Sequence, residues 1–236
     1  MSRYHLKNFL FYLSLLKYSF TNPRKGLQIL DAVKQTWRDN ENIIELGIKQ
    51  QNAEDVINIL FPQNEYSLKE FSQQLMPLKD HMHNFFDELK DKEYPSTKKP
   101  YPVDYSLNDE AGLFLYALCK IIKPLKIVET GVAYGLSSAY ILQALNENKK
   151  GKLFSIDSTF RPWESKIMIG SVIPTNLRDR WELIFGSSTD KLKDLLISLS
   201  SVDIFFHDSL HTSKNMTFEF KTAWPFIKKK WISVIR

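Results

Sequence analysis

From residue 107 onward, short runs of apolar and β-branched residues take turns with longer stretches whose apolar residues recur at helical spacing. This alternation restricts what the chain can fold into more than any other feature. A helix is expected over 108–122, carrying Leu113, Phe114, Leu115, Leu118, Ile121 and Ile122, with Pro124 ending it. Strands are expected over 125–130 (LKIVET), 152–157 (KLFSID), 182–186 (ELIFG), 202–207 (VDIFFH) and 231–235 (WISVI), with helices over 137–147, 188–199 and 213–226 between them. Strands separated by helices need crossover connections, which favour parallel neighbours. The expected class is α/β, a doubly wound parallel sheet with five readable strands.

The preceding residues follow another pattern. Residues 6–20, LKNFLFYLSLLKYSF, are the most apolar stretch, yet Lys7 and Lys17 bracket a run far shorter than the ~20 residues that span a bilayer. No transmembrane segment is expected. The stretch reads first as a helix packed on the domain and second as a helix making peripheral membrane or partner contact. Arg3 and Lys7 imitate the start of a signal peptide, but no small-residue cleavage site follows. Thr21-Asn22-Pro23 breaks the helix. Helices follow over 25–60, with Leu27, Leu30, Val33 and Trp37, then Ile43, Ile44 and Ile48. Another is expected over 67–91, with Leu68, Phe71, Leu75, Leu78, Met82, Phe85 and Phe86 on one face. His81 and His83 lie on different faces of it, so a shared metal is not expected. Residues 91–106, DKEYPSTKKPYPVDYS, read as a linker or an extended segment wrapping over the second part. The expected organisation is a helical region over 1–90, a linker over 91–106 and an α/β domain over 107–236.

Composition narrows the setting. The single cysteine, Cys119, excludes an internal disulfide and fits a reducing, cytoplasmic compartment; it reads as a small core residue. The net charge is +5, but Lys228, Lys229, Lys230 and Arg236 crowd at the end instead of forming a stripe over one face, so no nucleic-acid partner is expected.

Ligands of such sheets bind at the carboxyl ends of the strands. The first strand runs into Glu129-Thr130-Gly131-Val132-Ala133-Tyr134-Gly135-Leu136-Ser137-Ser138. Gly131 and Gly135 bracket a turn that opens a helix, and glycine lets backbone approach a ligand closely. The turn is not G-x-G-x-x-G, and with two glycines it suits a pyrophosphate less than a ligand lacking one. The second strand ends in Asp157, placed to accept from a ribose diol or, more simply, to cap the start of a helix. The third ends in Gly186-Ser187-Ser188 and the fourth in His207-Asp208-Ser209-Leu210-His211. Asp208 and His211 can face one crevice as acid/base groups or metal ligands; the plainer reading has them cap a turn and cover a helix end.

Together VETGVAYGLSSAYILQAL, LFSID, RDRWELIFGSS and VDIFFHDSLHTSKNMTFEFKTAW resemble class I S-adenosylmethionine-dependent methyltransferases. The branch they resemble most is that of small-molecule O-methyltransferases with cephalosporin-hydroxylase-like and macrocin-type members. The resemblance covers about residues 105–235. It implies a Rossmann-like fold, S-adenosyl-L-methionine as cofactor and methyl transfer to a hydroxyl of a small-molecule acceptor. It implies that Glu129, Thr130, Gly131, Val132, Ala133, Tyr134 and Gly135, with Ser137, hold the amino-acid part of the cofactor. Asp157 is implied to bind the ribose hydroxyls, and Ser187 stands where many members have a polar residue near the adenine. Asp208 and His211 match a D-x-x-H motif. Asp208 is implied as a ligand of a divalent cation, usually magnesium, and His211 is the candidate base.

The chain also departs from that pattern. Lys228-Lys229-Lys230 stands where the family has a Gly-Gly turn, and the acidic pair after the fifth strand and the two last strands have no counterpart. The expectation is therefore a domain incomplete at its C-terminus, and a remnant retaining only the cofactor-binding half is the alternative function. A nicotinamide-dependent oxidoreductase is a weaker third reading, disfavoured by the two-glycine turn. Assembly into a homo-oligomer stays open.

Overall fold

The computed structural model describes residues 15–41, 52–63, 66–103 and 107–235, with the side chains of 229–235 excepted. Five strands, β1 (Lys126–Thr130), β2 (Lys152–Asp157), β3 (Trp181–Phe185), β4 (Val202–His207) and β5 (Ile227–Ile235), form one sheet in the order β3-β2-β1-β4-β5. Every pairing is parallel. β4 is buried along its whole length and β1 over its last four residues, as central strands covered on both faces must be. The α/β expectation holds, and the chain's path reverses between β1 and β4, where such sheets open their crevice.

The helices that cover the sheet start where a side chain can satisfy their free N–H groups. Asn108, Ser187 and Thr212 accept from backbone N–H groups at the starts of α6 (Asp109–Ile122), α8 (Ser188–Leu199) and α9 (Ser213–Ala223). Helix α7 (Leu136–Glu147) starts from Gly135 in a left-handed conformation instead. One apolar cluster, with Val128, Ile156, Leu192, Leu196 and Phe205, lies under α8 and α9.

The opposite cluster joins the two parts of the chain. Tyr116, Leu118, Tyr140 and Leu142 share it with Ile57 of α3 (Ala53–Leu60), Phe71 of α4 (Leu68–Gln74), and Leu78 and Met82 of α5 (Met76–Lys90). These helices therefore pack into the core of the sheet layer. The single helix expected over 67–91 is two, because Pro77 sits in the first turn of α5, where the missing N–H costs nothing. Leu68, Phe71, Leu75, Leu78 and Met82 are buried as their spacing required. Cys119 is buried in the same cluster, and burial pushes its thiol up, so it is a packing residue.

Three expectations need correction. Helix α1 is described over 15–21, and Asn22 separates it from α2 (Pro23–Glu41). On α2 the residues with the most evident apolar spacing face outward: Leu27 is 67% exposed, Leu30 64% and Trp37 71%, and Val33 is exposed too. The buried residues are Gly26, Ile29 and Ala32, because the polar residues of α2 bind the sheet domain and set its rotation. Residues 6–14 and Ile43, Ile44 and Ile48 lie outside the described residues. Second, β5 begins at Ile227, so Lys228–Lys230 lie in a strand and not in a turn; Lys228 Nζ meets Asp203 at 2.6 Å beside an irregularity in the β4–β5 pairing. Third, the helix expected to reach 226 stops at Ala223, and Pro225 lies in a single tighter turn, Trp224–Phe226. Among the described residues, no helix is long and apolar enough to cross a membrane.

Candidate functional site

Parallel register brings Thr130 level with Ile156 on one side and His207 on the other, so the ends of β1, β2 and β4 form one rim. The turn after β1 is tied to the turn after β4: Asp208 N–H donates to the Thr130 carbonyl at 2.8 Å. Gly131 adopts a φ of 84°, and a Cβ there would lie 2.2 Å from the Asp208 carbonyl oxygen. Gly135, at 95°, has Gly170 and Ile173 each 2.9 Å from where its own Cβ would stand. The sequence suggested that these glycines admit a ligand; in the structure, the chain's own backbone and side chains occupy the space next to both.

The conformation of the turn is set by Asp157. Its Oδ2 accepts from Val132 N–H and Ala133 N–H, both at 2.9 Å, and its Oδ1 accepts from Ser158 N–H at 2.6 Å. Those bonds hold Ala133 at a φ of 49°. Burial raises the Asp157 pKa, opposed by the N–H groups of Ala133, Val132 and Ser158. Gly131 N–H donates to Ile156 and Gly135 N–H to Val132. Four N–H groups of the turn are thus spent inside the chain, and the turn makes no cradle for a pyrophosphate.

Beneath the turn lies Glu129, wholly buried. Ser137 Oγ donates to its Oε1 at 2.6 Å, and Ser138 and Ser155 donate to its Oε2 at 2.6 and 2.7 Å. Glu129 and Ser137 therefore fasten β1 to the start of α7. Burial pushes the Glu129 carboxyl up to about 7 against those three hydroxyls. Thr130 points to the opposite face and donates to Glu219 of α9 at 2.5 Å. Val132 and Tyr134 are buried, and Tyr134 packs edge-on against Phe85, Phe86 and Tyr101.

Glu219 is a residue that the sequence reading missed. Its Oε2 also accepts from His207 Nδ1 at 2.6 Å, and its Oε1 from Ser209 at 2.7 Å and Asn215 at 3.2 Å. Burial pushes it up, yet hydrogen bonds from His207, Ser188, Thr130 and Ser209 outweigh burial and hold it below the ordinary glutamate value. An acid on the inward side of a helix that follows the fourth strand was its available sign.

At the rim itself, Asp208 and His211 come together as their spacing implied, with Nε2 to Oδ1 at 3.4 Å. The His211 side chain is 46% exposed and that of Asp208 12% exposed. The His211 ring centroid lies 5.2 Å from that of His207. Ser187 caps α8, bonding Asp190 and Thr189. Among the described residues, no three His, Cys, Asp or Glu side chains are grouped to hold a metal ion.

Helix α2 crosses this rim. Lys25 Nζ donates to the Thr159 carbonyl just after β2, while Gln35 and Asp39 accept from Thr212 Oγ1 and Ser213 N–H just after β4. Lys214 adds an exposed ion pair to Asp31.

Residues 128–235 match a family described as "Methyltransferase domain". No curated protein sequence matches the chain. Among solved structures, the SAH-bound methyltransferase PaMTH1 of Podospora anserina aligns with 80% of this chain and 71% of its own, at 17% identity and a TM-score of 0.50. The cofactor-bound Rv0187 from MTB aligns with 79% of this chain and 73% of its own, again at 17% identity and a TM-score of 0.50. Likeness at this level establishes a shared fold.

Proposed function

We propose that this chain, whose residues 128–235 match a family described as methyltransferase domain, transfers a methyl group from S-adenosylmethionine to a hydroxyl of a small molecule. The observation that carries the reading is the rim at the β1–β4 switch, with Asp157 at the end of β2 and the Asp208–His211 pair just after β4. Both aligned structures hold ligands, SAH in one and a cofactor in the other, which supports the choice of donor.

The donor set fits that cofactor. A carboxylate offers about four acceptor positions, and backbone N–H groups fill three on Asp157, so one remains for a ribose hydroxyl. The spent N–H groups of the turn argue against a dinucleotide, and so against the oxidoreductase reading. When bound, S-adenosylmethionine supplies a methyl carbon made electrophilic by a sulfonium. The chain's own residues then do three things. Asp157 and the turn it locks fix the nucleoside side of the crevice. His211, the more exposed of the rim pair, would accept the proton of the acceptor hydroxyl as that oxygen takes the methyl carbon and the carbon–sulfur bond breaks to leave a neutral thioether, and Asp208 would orient the imidazole. Positioning of the two reactants supplies most of the remaining acceleration. Among the described residues, the groups around Asp208 do not amount to a magnesium site.

Titration calorimetry of S-adenosylhomocysteine into the full chain is expected to give saturable binding. Transfer of a labelled methyl to a panel of hydroxylated small molecules should then fall by about 10²–10⁴-fold in His211→Ala. A chain that binds neither S-adenosylmethionine nor S-adenosylhomocysteine would overturn the reading. The reading includes a cytoplasmic setting, supported by the lone cysteine, Cys119.

A further inference from the structure

Asp157 alone is an incomplete answer to a ribose. A vicinal diol presents two O–H donors, and Asp157 has about one acceptor position left. A second polar group must meet the other hydroxyl. The structure contains one that nothing else uses.

Tyr101 belongs to the extended segment between α5 and α6. It is hooked onto the glycine turn by both ends of its own backbone: its N–H donates to the Tyr134 hydroxyl at 3.3 Å, and that hydroxyl donates to the Tyr101 carbonyl at 3.0 Å. The two rings meet edge to face, with centroids 5.1 Å apart. The backbone and the ring are thus fixed, yet the Tyr101 hydroxyl is shielded from solvent and has no hydrogen-bond partner among the described residues. The turn that carries Tyr134 is the one Asp157 fixes through the N–H groups of Val132 and Ala133. Burial raises the Tyr101 pKa, and the negative charges of Asp157 and Glu164 raise it further. Glu164 is held by the N–H groups of Phe160 and Arg161.

A buried phenol without a partner is destabilising in the unliganded protein, and native chains keep few such groups. The cost is understandable if the partner arrives with a ligand. We propose that the Tyr101 hydroxyl binds the ribose of the cofactor, completing with Asp157 a two-point clamp on the vicinal diol. The inference rests on the donor assigned above. It assigns a binding role to the segment between α5 and α6, which Tyr134 holds against the glycine turn. Tyr101 serves as donor or acceptor, and so can pair with whichever ribose hydroxyl does not give its proton to Asp157.

Tyr101→Phe separates this role from a structural one. It removes only the oxygen that has no partner, so the unliganded variant should melt at the wild-type temperature or slightly above. Its affinity for S-adenosylhomocysteine, measured by calorimetry, should fall by about tenfold. Against the 2′-deoxy or the 3′-deoxy analogue, whichever lacks the hydroxyl that Tyr101 meets, variant and wild type should bind equally. Tyr134→Phe is the contrasting variant: it breaks the hook, so it should lower the melting temperature and the affinity together. Wild-type affinity in Tyr101→Phe would overturn the clamp and leave the donor assignment standing, as would an equal loss for both deoxy analogues. A wild-type chain that binds no S-adenosylhomocysteine would overturn both.

Discussion

Glu129 and Glu219 lie on opposite faces of the same strand end, both wholly buried, and their surroundings drive them in opposite directions. Glu129 is met by three serine hydroxyls, and burial still raises it to about 7. Glu219 is met by His207 together with Thr130, Ser209 and Asn215, and it is held below the ordinary value. Glu219 has four such partners against three for Glu129, and the partners differ in kind as well, because they include an imidazole and an amide. Hydroxyls satisfy an acid's oxygens whether or not it is ionised, because each can donate or accept. A histidine Nδ1–H only donates, and so favours the carboxylate. One face of the strand end is thus built to tolerate a neutral acid and the other to keep a charged one.

The contrast can be broken most forcefully at Glu219. Glu219→Ala strips the partner from His207, Thr130 and Ser209 inside the fold and should cost about 3–5 kcal/mol in urea unfolding. Glu129→Gln at pH 7 should cost less than about 1 kcal/mol, since reoriented serine hydroxyls can serve an amide. Equal losses in the two variants would erase the distinction.

The pH dependence of stability sharpens it next. Folded Glu129 keeps its proton to about pH 7, whereas the unfolded chain releases it near 4.5. The folded state therefore binds more protons in that window, and the Glu129 contribution to stability falls as pH rises through it, by up to about 3 kcal/mol. Glu219 runs the other way: its contribution is present above the ordinary glutamate pKa and is lost as pH falls through its lowered one. Unfolding midpoints measured from pH 4 to 8 should show a falling slope that is shallower in Glu129→Gln, where the raised Asp157 and Glu164 still contribute, and that keeps its full size in Glu219→Gln.

Single hydroxyls give the smallest effects. Thr130→Val removes a charge-assisted bond and should cost about 1.5–3 kcal/mol, while Ser138→Ala should cost about 1 kcal/mol or less. The ranking of these two midpoints is the finest test of the contrast.

The sheet was legible because its central strands are buried and prolines and glycines punctuate the chain, and all five expected strands are present, with β5 starting earlier than expected. The pairing of Asp208 with His211 followed from spacing alone. The features that stayed hidden depended on contacts between distant residues. Glu219 lies 89 residues from Thr130 in the chain, and Tyr101 lies 33 from Tyr134. Periodicity located α2 without its orientation, because Gln35 and Asp39, unremarkable as single polar residues, anchor it with Leu27 and Trp37 turned outward. The glycines were recognised as special for a reason that the fold revises: Gly131 makes room for Asp208.

That close approach has a thermodynamic corollary. The turns after β1 and β4, which the proposed function gives to donor and acceptor, share one backbone contact, Thr130 carbonyl to Asp208 N–H, with Gly131 pressed against it. A ligand that stiffens the glycine turn stiffens Asp208 as well, so part of the ordering entropy for the second ligand is already spent. The two affinities are then linked, and by reciprocity each ligand improves the other's binding by the same factor. A glycine needed for steric reasons thereby makes cooperative binding a property of the fold.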